Sequence, residues 1–118
     1  MTADILPDFI TAIRRTGDWT VAELKGRLDY ACSGEFWRSL ARFVGHADRL
    51  QLDFGGVQYM DSAGLATLVD WLKRLSARGG RLRLSRLPDQ IRALLKLARL
   101  DEAFDITDGP DRNRPCAL

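Results

Sequence analysis

The residues of this 118-residue chain best placed to do chemistry lie in the run Gly55-Gly56-Val57-Gln58-Tyr59-Met60-Asp61-Ser62-Ala63-Gly64-Leu65. The run follows an alternating apolar stretch and leads into helical periodicity. Asp61 or Ser62 can cap the free N–H groups of such a helix, and an acidic group is favoured where the helix dipole is positive. Gly64, lacking a Cβ, lets the first helical turn sit close to a strand below it. Local physics alone reads the run as a capped strand-to-helix junction of a kind common in α/β proteins.

Elsewhere the residue types that catalysis needs are isolated. The one histidine, His46, lies in the polar stretch Gly45-His46-Ala47-Asp48, where a solvated side chain is the plain reading. There is no Gly-x-Ser-x-Gly elbow, no His-Glu-x-x-His and no Cys/His cluster. Gly55-Gly56 and Gly79-Gly80 lack the spacing of phosphate-cradling loops. The two cysteines, Cys32 and Cys116, are too few for a disulfide framework or a structural zinc site. Neither has a local helper to lower a thiol pKa. The expectation is a non-enzymatic protein with no metal and no cofactor.

The elements that must position Asp61 and Ser62 follow from periodicity. Residues 8–15 and 18–28 read as strands joined by Thr16-Gly17-Asp18. From Ser33, a plausible N-cap, Phe36, Leu40, Phe43 and Val44 fall at helical spacing until Gly45. Residues 50–54 alternate as a strand, and Gly55-Gly56 opens a loop through 62. A helix over 64–77 carries the stripe Leu65, Leu68, Val69, Leu72 and Leu75. Residues 81–85 alternate again, Pro88 suits the first turn of a third helix bearing Ile91, Leu94, Leu95 and Ala98, and residues 103–106 could form an edge strand.

The order β-β-α-β-α-β-α-(β) predicts an α/β fold with a mixed four- to five-stranded sheet. Gln51, Asp53, Arg81 and Arg83 alternate with apolar residues in the inner strands, so helices should lie mainly on one face. A domain over 1–108 with a flexible tail at 109–118 is expected, because the end is polar and holds Pro110 and Pro115. No apolar run approaches the roughly 18 residues of a membrane span, and no signal-peptide core follows Met1, which points to a cytoplasmic protein without direct membrane insertion.

The net charge of +2 conceals an asymmetry, since residues 71–99 carry nine basic groups against Asp89 alone. Such a segment can meet nucleic acid, anionic lipid or an acidic protein, or simply be solvated faces of helices and a strand. Nucleic-acid binding lacks aromatic interleaving and any recognised fold motif. Trp71 falls at the rim of its helix's apolar stripe, where it either packs partly against the sheet edge or anchors a partner.

The segment Tyr59-Met60-Asp61-Ser62-Ala63-Gly64-Leu65 with Leu68 resembles the signature of STAS domains, the anti-sigma factor antagonists and their relatives. Gly26-Arg27-Leu28-Asp29 is similar to the family's Gly-x-Leu-Asp. Leu87-Pro88-Asp89-Gln90-Ile91, Leu100 and Phe104-Asp105-Ile106 resemble its closing pattern, so the likeness covers roughly residues 8–107. It implies a mixed sheet with helices mainly to one side. It also implies that Ser62 is the residue phosphorylated by a partner serine kinase that is itself an anti-sigma factor. By the same resemblance Asp29 and Asp61 mark partner recognition; with Ser62, the neighbouring Gly64 and the rim residue Trp71 they form the expected partner-binding set. Tyr30-Ala31-Cys32 departs from the small polar residues of many relatives. The resemblance leaves a second reading, an accessory subunit of a phospholipid-trafficking ABC transporter docking on its ATPase. Either way a monomer or weak dimer is expected.

Overall fold

In the computed structural model, which describes residues 9–107, the alternation and helical spacing of the chain resolve into eight elements. These are β1 (Ile10–Thr16), β2 (Trp19–Leu28), α1 (Ser33–Val44), β3 (Arg49–Met60), α2 (Ser62–Ala77), β4 (Arg81–Ser85), α3 (Asp89–Leu97) and β5 (Asp105–Thr107). The tail expected at 109–118, with Cys116, lies outside the described residues.

The strands form one five-stranded sheet in the order β1-β2-β3-β4-β5. β1 runs antiparallel to β2, and every other neighbouring pair is parallel. Each parallel connection steps one strand in the same direction. Right-handed crossovers of that kind deliver their helices to one face, as the alternation predicts. Ala22, Leu24, Leu50, Leu52, Phe54, Leu82 and Leu84 join Phe36, Leu40, Leu68, Leu75, Ile91 and Leu95 of the helices in one core.

On the opposite face the parallel register aligns Val21, Gln51, Arg83 and Asp105, and beside them Glu23, Asp53, Ser85 and Thr107. These polar groups bond one another. Gln51 donates to Ser85 Oγ at 3.0 Å, Arg83 donates to Gln51 at 3.2 Å, and Arg14 pairs with Glu23. Arg83 also stacks its guanidinium 3.7 Å from the Trp19 ring centroid. Burial of Gln51, Asp53 and Ser85 is therefore accompanied by partners, as buried polar groups require.

Three differences from expectation bear on the site. The strand expected over 50–54 continues to Met60, so 55–60 is strand and not loop. Gly55-Gly56 acts here as a place of close approach. A Cβ on Gly56 would lie 2.8 Å from the Leu24 carbonyl oxygen, and one on Gly55 would lie 2.6 Å from the Arg86 guanidinium carbon. β3 absorbs the crowding with an extra residue at each of two bulges against β2. The second helix begins at Ser62 and not at 64, because Asp61 caps it. Ser33 is not the N-cap of α1; Cys32 holds that position without a side-chain cap, and the Ser33 hydroxyl turns back to the Tyr30 carbonyl at 3.3 Å.

Candidate functional site

Asp61 sits where β3 ends and α2 begins, and its carboxylate joins two elements. Oδ1 accepts the N–H groups of Ala63 at 2.9 Å and Gly64 at 3.2 Å, capping α2. Oδ2 accepts the N–H of Tyr30 at 2.9 Å, in the turn between β2 and α1. Partial desolvation pushes the Asp61 pKa up, but the donors from Tyr30, Gly64 and Ala63 together outweigh it and leave the carboxyl below its ordinary value. Asp61 is thus firmly ionised at neutral pH.

Ser62 follows as the first residue of α2, and its side chain is exposed. The N–H donors that would greet an anion at this helix end are, for Ala63 and Gly64, already taken by Asp61. A phosphate on Ser62 would therefore enter beside an existing negative charge.

Gly64 is buried, and its role is packing. A Cβ there would come within 2.3 Å of the Leu28 carbonyl oxygen and 2.6 Å of Met60 Cγ, so only glycine lets α2 lie this close to the strand ends. Gln90, from α3, secures the same strand end. Its side-chain amide accepts from the Met60 N–H at 3.0 Å and donates to the Met60 carbonyl at 2.8 Å, copying a strand's pairing. Sequence reasoning placed Gln90 in the closing pattern but assigned it no task.

Asp29 ends the β2 side of the junction. Arg27 Nε lies 3.5 Å from its Oδ2, and the Arg27 guanidinium also covers the Tyr59 ring at 4.5 Å. Asp29 Oδ1 is buried without a partner. Burial, with acceptance by the Asp29 carboxylate next, raises the Cys32 thiol pKa, which keeps Cys32 protonated and unreactive. Asp29, Asp61 and Ser62 thus meet at one end of the fold, and Tyr30 stands among them.

Trp71 does not belong to that surface. It is 3% exposed and packs in the core, with its ring 5.5 Å from that of Trp37. The rim position read from the wheel is corrected because α1 lies across that side of α2. Trp37 Nε1 donates to Asp70 at 2.6 Å, and Arg74 donates to the same oxygen at 3.1 Å, closing the seam over Trp71.

Five of the nine basic residues of 71–99 pair with carboxylates in different parts of the fold: Arg74 with Asp70 along α2, Arg78 beyond its end with Asp48, Arg81 and Arg83 with Asp105 on the helix-free face, and Arg86 with Asp53. His46 is exposed in the loop before β3. Among the described residues no group of three or more His, Cys, Asp or Glu side chains is placed to hold a metal, and no helix is long and apolar enough to cross a membrane.

Residues 11–108 match the family model described as Mlab, STAS domain. The chain belongs to the STAS domain family. Solved STAS structures share its fold. A putative anti-sigma factor antagonist from Thermotoga maritima is 20% identical, with 86% of this chain and 89% of that one covered and a TM-score of 0.78. An anti-sigma factor antagonist from Mycobacterium paratuberculosis is 21% identical over 89% and 91% of the two chains, with a TM-score of 0.74. A sulfate transporter family protein from Wolinella succinogenes is 17% identical over 84% of each chain, with a TM-score of 0.69. The STAS fold thus occurs in both settings, signalling antagonists and transporters.

Proposed function

We propose that this STAS domain is an anti-sigma factor antagonist: a non-enzymatic, cytoplasmic switch that sequesters a kinase-type anti-sigma factor and is turned off by phosphorylation at Ser62. The observation that carries the reading is the exposed Ser62 beside the ionised, fully bonded Asp61. In the free protein, water screens the repulsion between a phosphate and Asp61. Under a docked partner both charges lose that water, and an unpaired buried charge costs several kcal/mol. A loss of about 3 kcal/mol weakens binding more than 100-fold. The fold itself needs no rearrangement for such a switch.

The second reading, an accessory subunit docking on a lipid-transporter ATPase through the same face, is favoured by the family model's description and by the transporter protein that shares the fold. Binding of the purified kinase-type anti-sigma factor and of the purified transporter ATPase from the chain's own genome separates the two. The first reading expects tight binding of the anti-sigma factor by wild type and Ser62→Ala, and loss with Ser62→Asp. It fails if Ser62→Asp binds as wild type does, or if only the ATPase is bound.

A further inference from the structure

We propose that Tyr30 is the aromatic side chain by which this chain grips its protein partner, and that Asp61 is its positioning residue. The proposal rests on the reading of the Ser62 surface as a docking face and names the contact within it. Among the described residues only Tyr30 and Leu97 are large hydrophobic side chains left mostly exposed, at 82% and 84%. Leu97 closes α3, whereas Tyr30 is bonded directly to the junction that presents Ser62.

The backbone under Tyr30 is held on both sides. Its N–H donates to Asp61 at 2.9 Å, its carbonyl accepts from the Ser33 hydroxyl at 3.3 Å, and the Cys32 N–H closes the turn on the Asp29 carbonyl at 3.0 Å. The ring itself neither stacks nor hydrogen-bonds with any described residue, so the fold does not use it. A rigidly mounted tyrosine offers large amphipathic contact area for little ordering entropy. Such side chains are enriched among the few that dominate an interface.

The charge around it defines the partner. Asp61 is ionised, and Glu35 is exposed in the first turn of α1. Asp29 and Arg27 pair with each other, the guanidinium also covering the Tyr59 ring, and add no net charge, while Arg38 reaches back over Gly34. The fitting partner is a protein surface with an apolar slot for a phenol ring, with Lys or Arg opposite Glu35 and none opposite Ser62. A phosphate on Ser62 would then enter the contact beside Asp61 with no cation of the partner to meet it.

The test titrates the two purified proteins named above with Tyr30→Ala, Tyr30→Phe, Asp61→Asn, Ser62→Asp and the Tyr30→Ala/Asp61→Asn double variant. For whichever protein binds, Tyr30→Ala should weaken binding about 30-fold with unaltered thermal unfolding, while Tyr30→Phe stays within about threefold of wild type. Asn is a good helix cap but has one acceptor oxygen, so Asp61→Asn should keep α2 capped and speed hydrogen exchange at the Tyr30 amide. It should also weaken binding in the otherwise wild-type chain, and weaken it less in Tyr30→Ala, where the ring it positions is gone. If Tyr30→Ala binds within about twofold of wild type while Ser62→Asp does not bind, the grip is wrong and the switch stands. An unchanged Tyr30 amide in Asp61→Asn overturns the positioning role. If wild type binds neither protein, both readings fall.

Discussion

Arg86 closes over Asp53 from the neighbouring strand, its Nε donating to both carboxylate oxygens at 3.0 and 3.2 Å. Asp53 is 1% exposed and takes a second donor, the Gly55 N–H, at 2.9 Å. To reach it, Arg86 adopts a φ of 52°, in the left-handed region. The chain thus accepts a strained backbone just beyond β4 in exchange for neutralising a buried charge. The guanidinium fills the space that a side chain at Gly55 would need.

Breaking a buried pair costs about 3–5 kcal/mol. Because the Arg86 side chain is 48% exposed and Gly55 still serves Asp53, Arg86→Ala should cost less, about 2 kcal/mol. Arg86→Gly loses the same pair but relaxes the backbone, and should be about 1 kcal/mol more stable than Arg86→Ala. Urea unfolding of both variants measures the difference. Equal stability would show that the backbone carries no strain.

Asp61 gives the fold a dependence on acid. Its pKa is lowered in the folded protein. Its contribution is therefore complete above the unfolded carboxylate value of about 4 and disappears as pH falls through the lower folded value. Wild type should unfold at a higher temperature than Asp61→Ala at neutral pH. The gap should shrink at about pH 2.5.

At Gly64, two effects of a methyl group oppose each other. Ala is the better helix former by about 1 kcal/mol. The added Cβ would meet the Leu28 carbonyl oxygen at 2.3 Å, a backbone contact that cannot swing aside. Overpacking of this severity costs about 3 kcal/mol, so Gly64→Ala should destabilise by about 2 kcal/mol in denaturant titration.

Two helices end in the same motif with different residues. After α2, Gly80 N–H bonds Leu75 and Gly79 N–H bonds Ser76, with Gly79 at φ 81°. After α3, Leu100 N–H bonds Leu95 and Arg99 N–H bonds Lys96, with Arg99 at φ 61°. Both are Schellman ends, and the left-handed position favours glycine. Gly79→Ala should cost about 1 kcal/mol, and Arg99→Gly should stabilise by about 0.5 kcal/mol. Thermal shifts of opposite sign are the readout.

Trp71 belongs to the core, so Trp71→Ala should cost about 3–5 kcal/mol. Its Nε1 is buried without a partner, so Trp71→Phe sacrifices no hydrogen bond and should be much milder. With Trp19 and Trp37 replaced by Phe, emission from Trp71 should not move when a partner binds.

Much of the fold was legible because the periods are clean. The strands of 81–85 and 50–54 alternate, the stripes of α1 and α2 keep helical spacing, and Asp61 stands where a cap is needed. The extension of β3 to Met60 was hidden, because Gly55-Gly56 carries the local signature of a break. Only the Leu24 carbonyl and the Arg86 side chain, both distant in sequence, reveal why those positions lack a Cβ. Trp71 was misplaced for a related reason: a wheel describes one helix and not the α1 residues that cross it. The Asp61–Tyr30 bond spans 31 positions, and no local pattern announces it. Ser62 was singled out by its motif and lies exposed where that motif put it, while the neighbouring Tyr30 registered only as a departure from the family.

The unbroken strand order from β1 to β5 carries a consequence for biosynthesis. Each strand leaving the ribosome finds its template already made and standing at the growing edge, and none must be wedged between two earlier ones. Close sequence neighbours pair first, which favours quick assembly. The Ser62 junction is complete only once Gln90 of α3 has arrived to grasp Met60, so a nascent chain would finish this junction late, when nearly all of the core is in place.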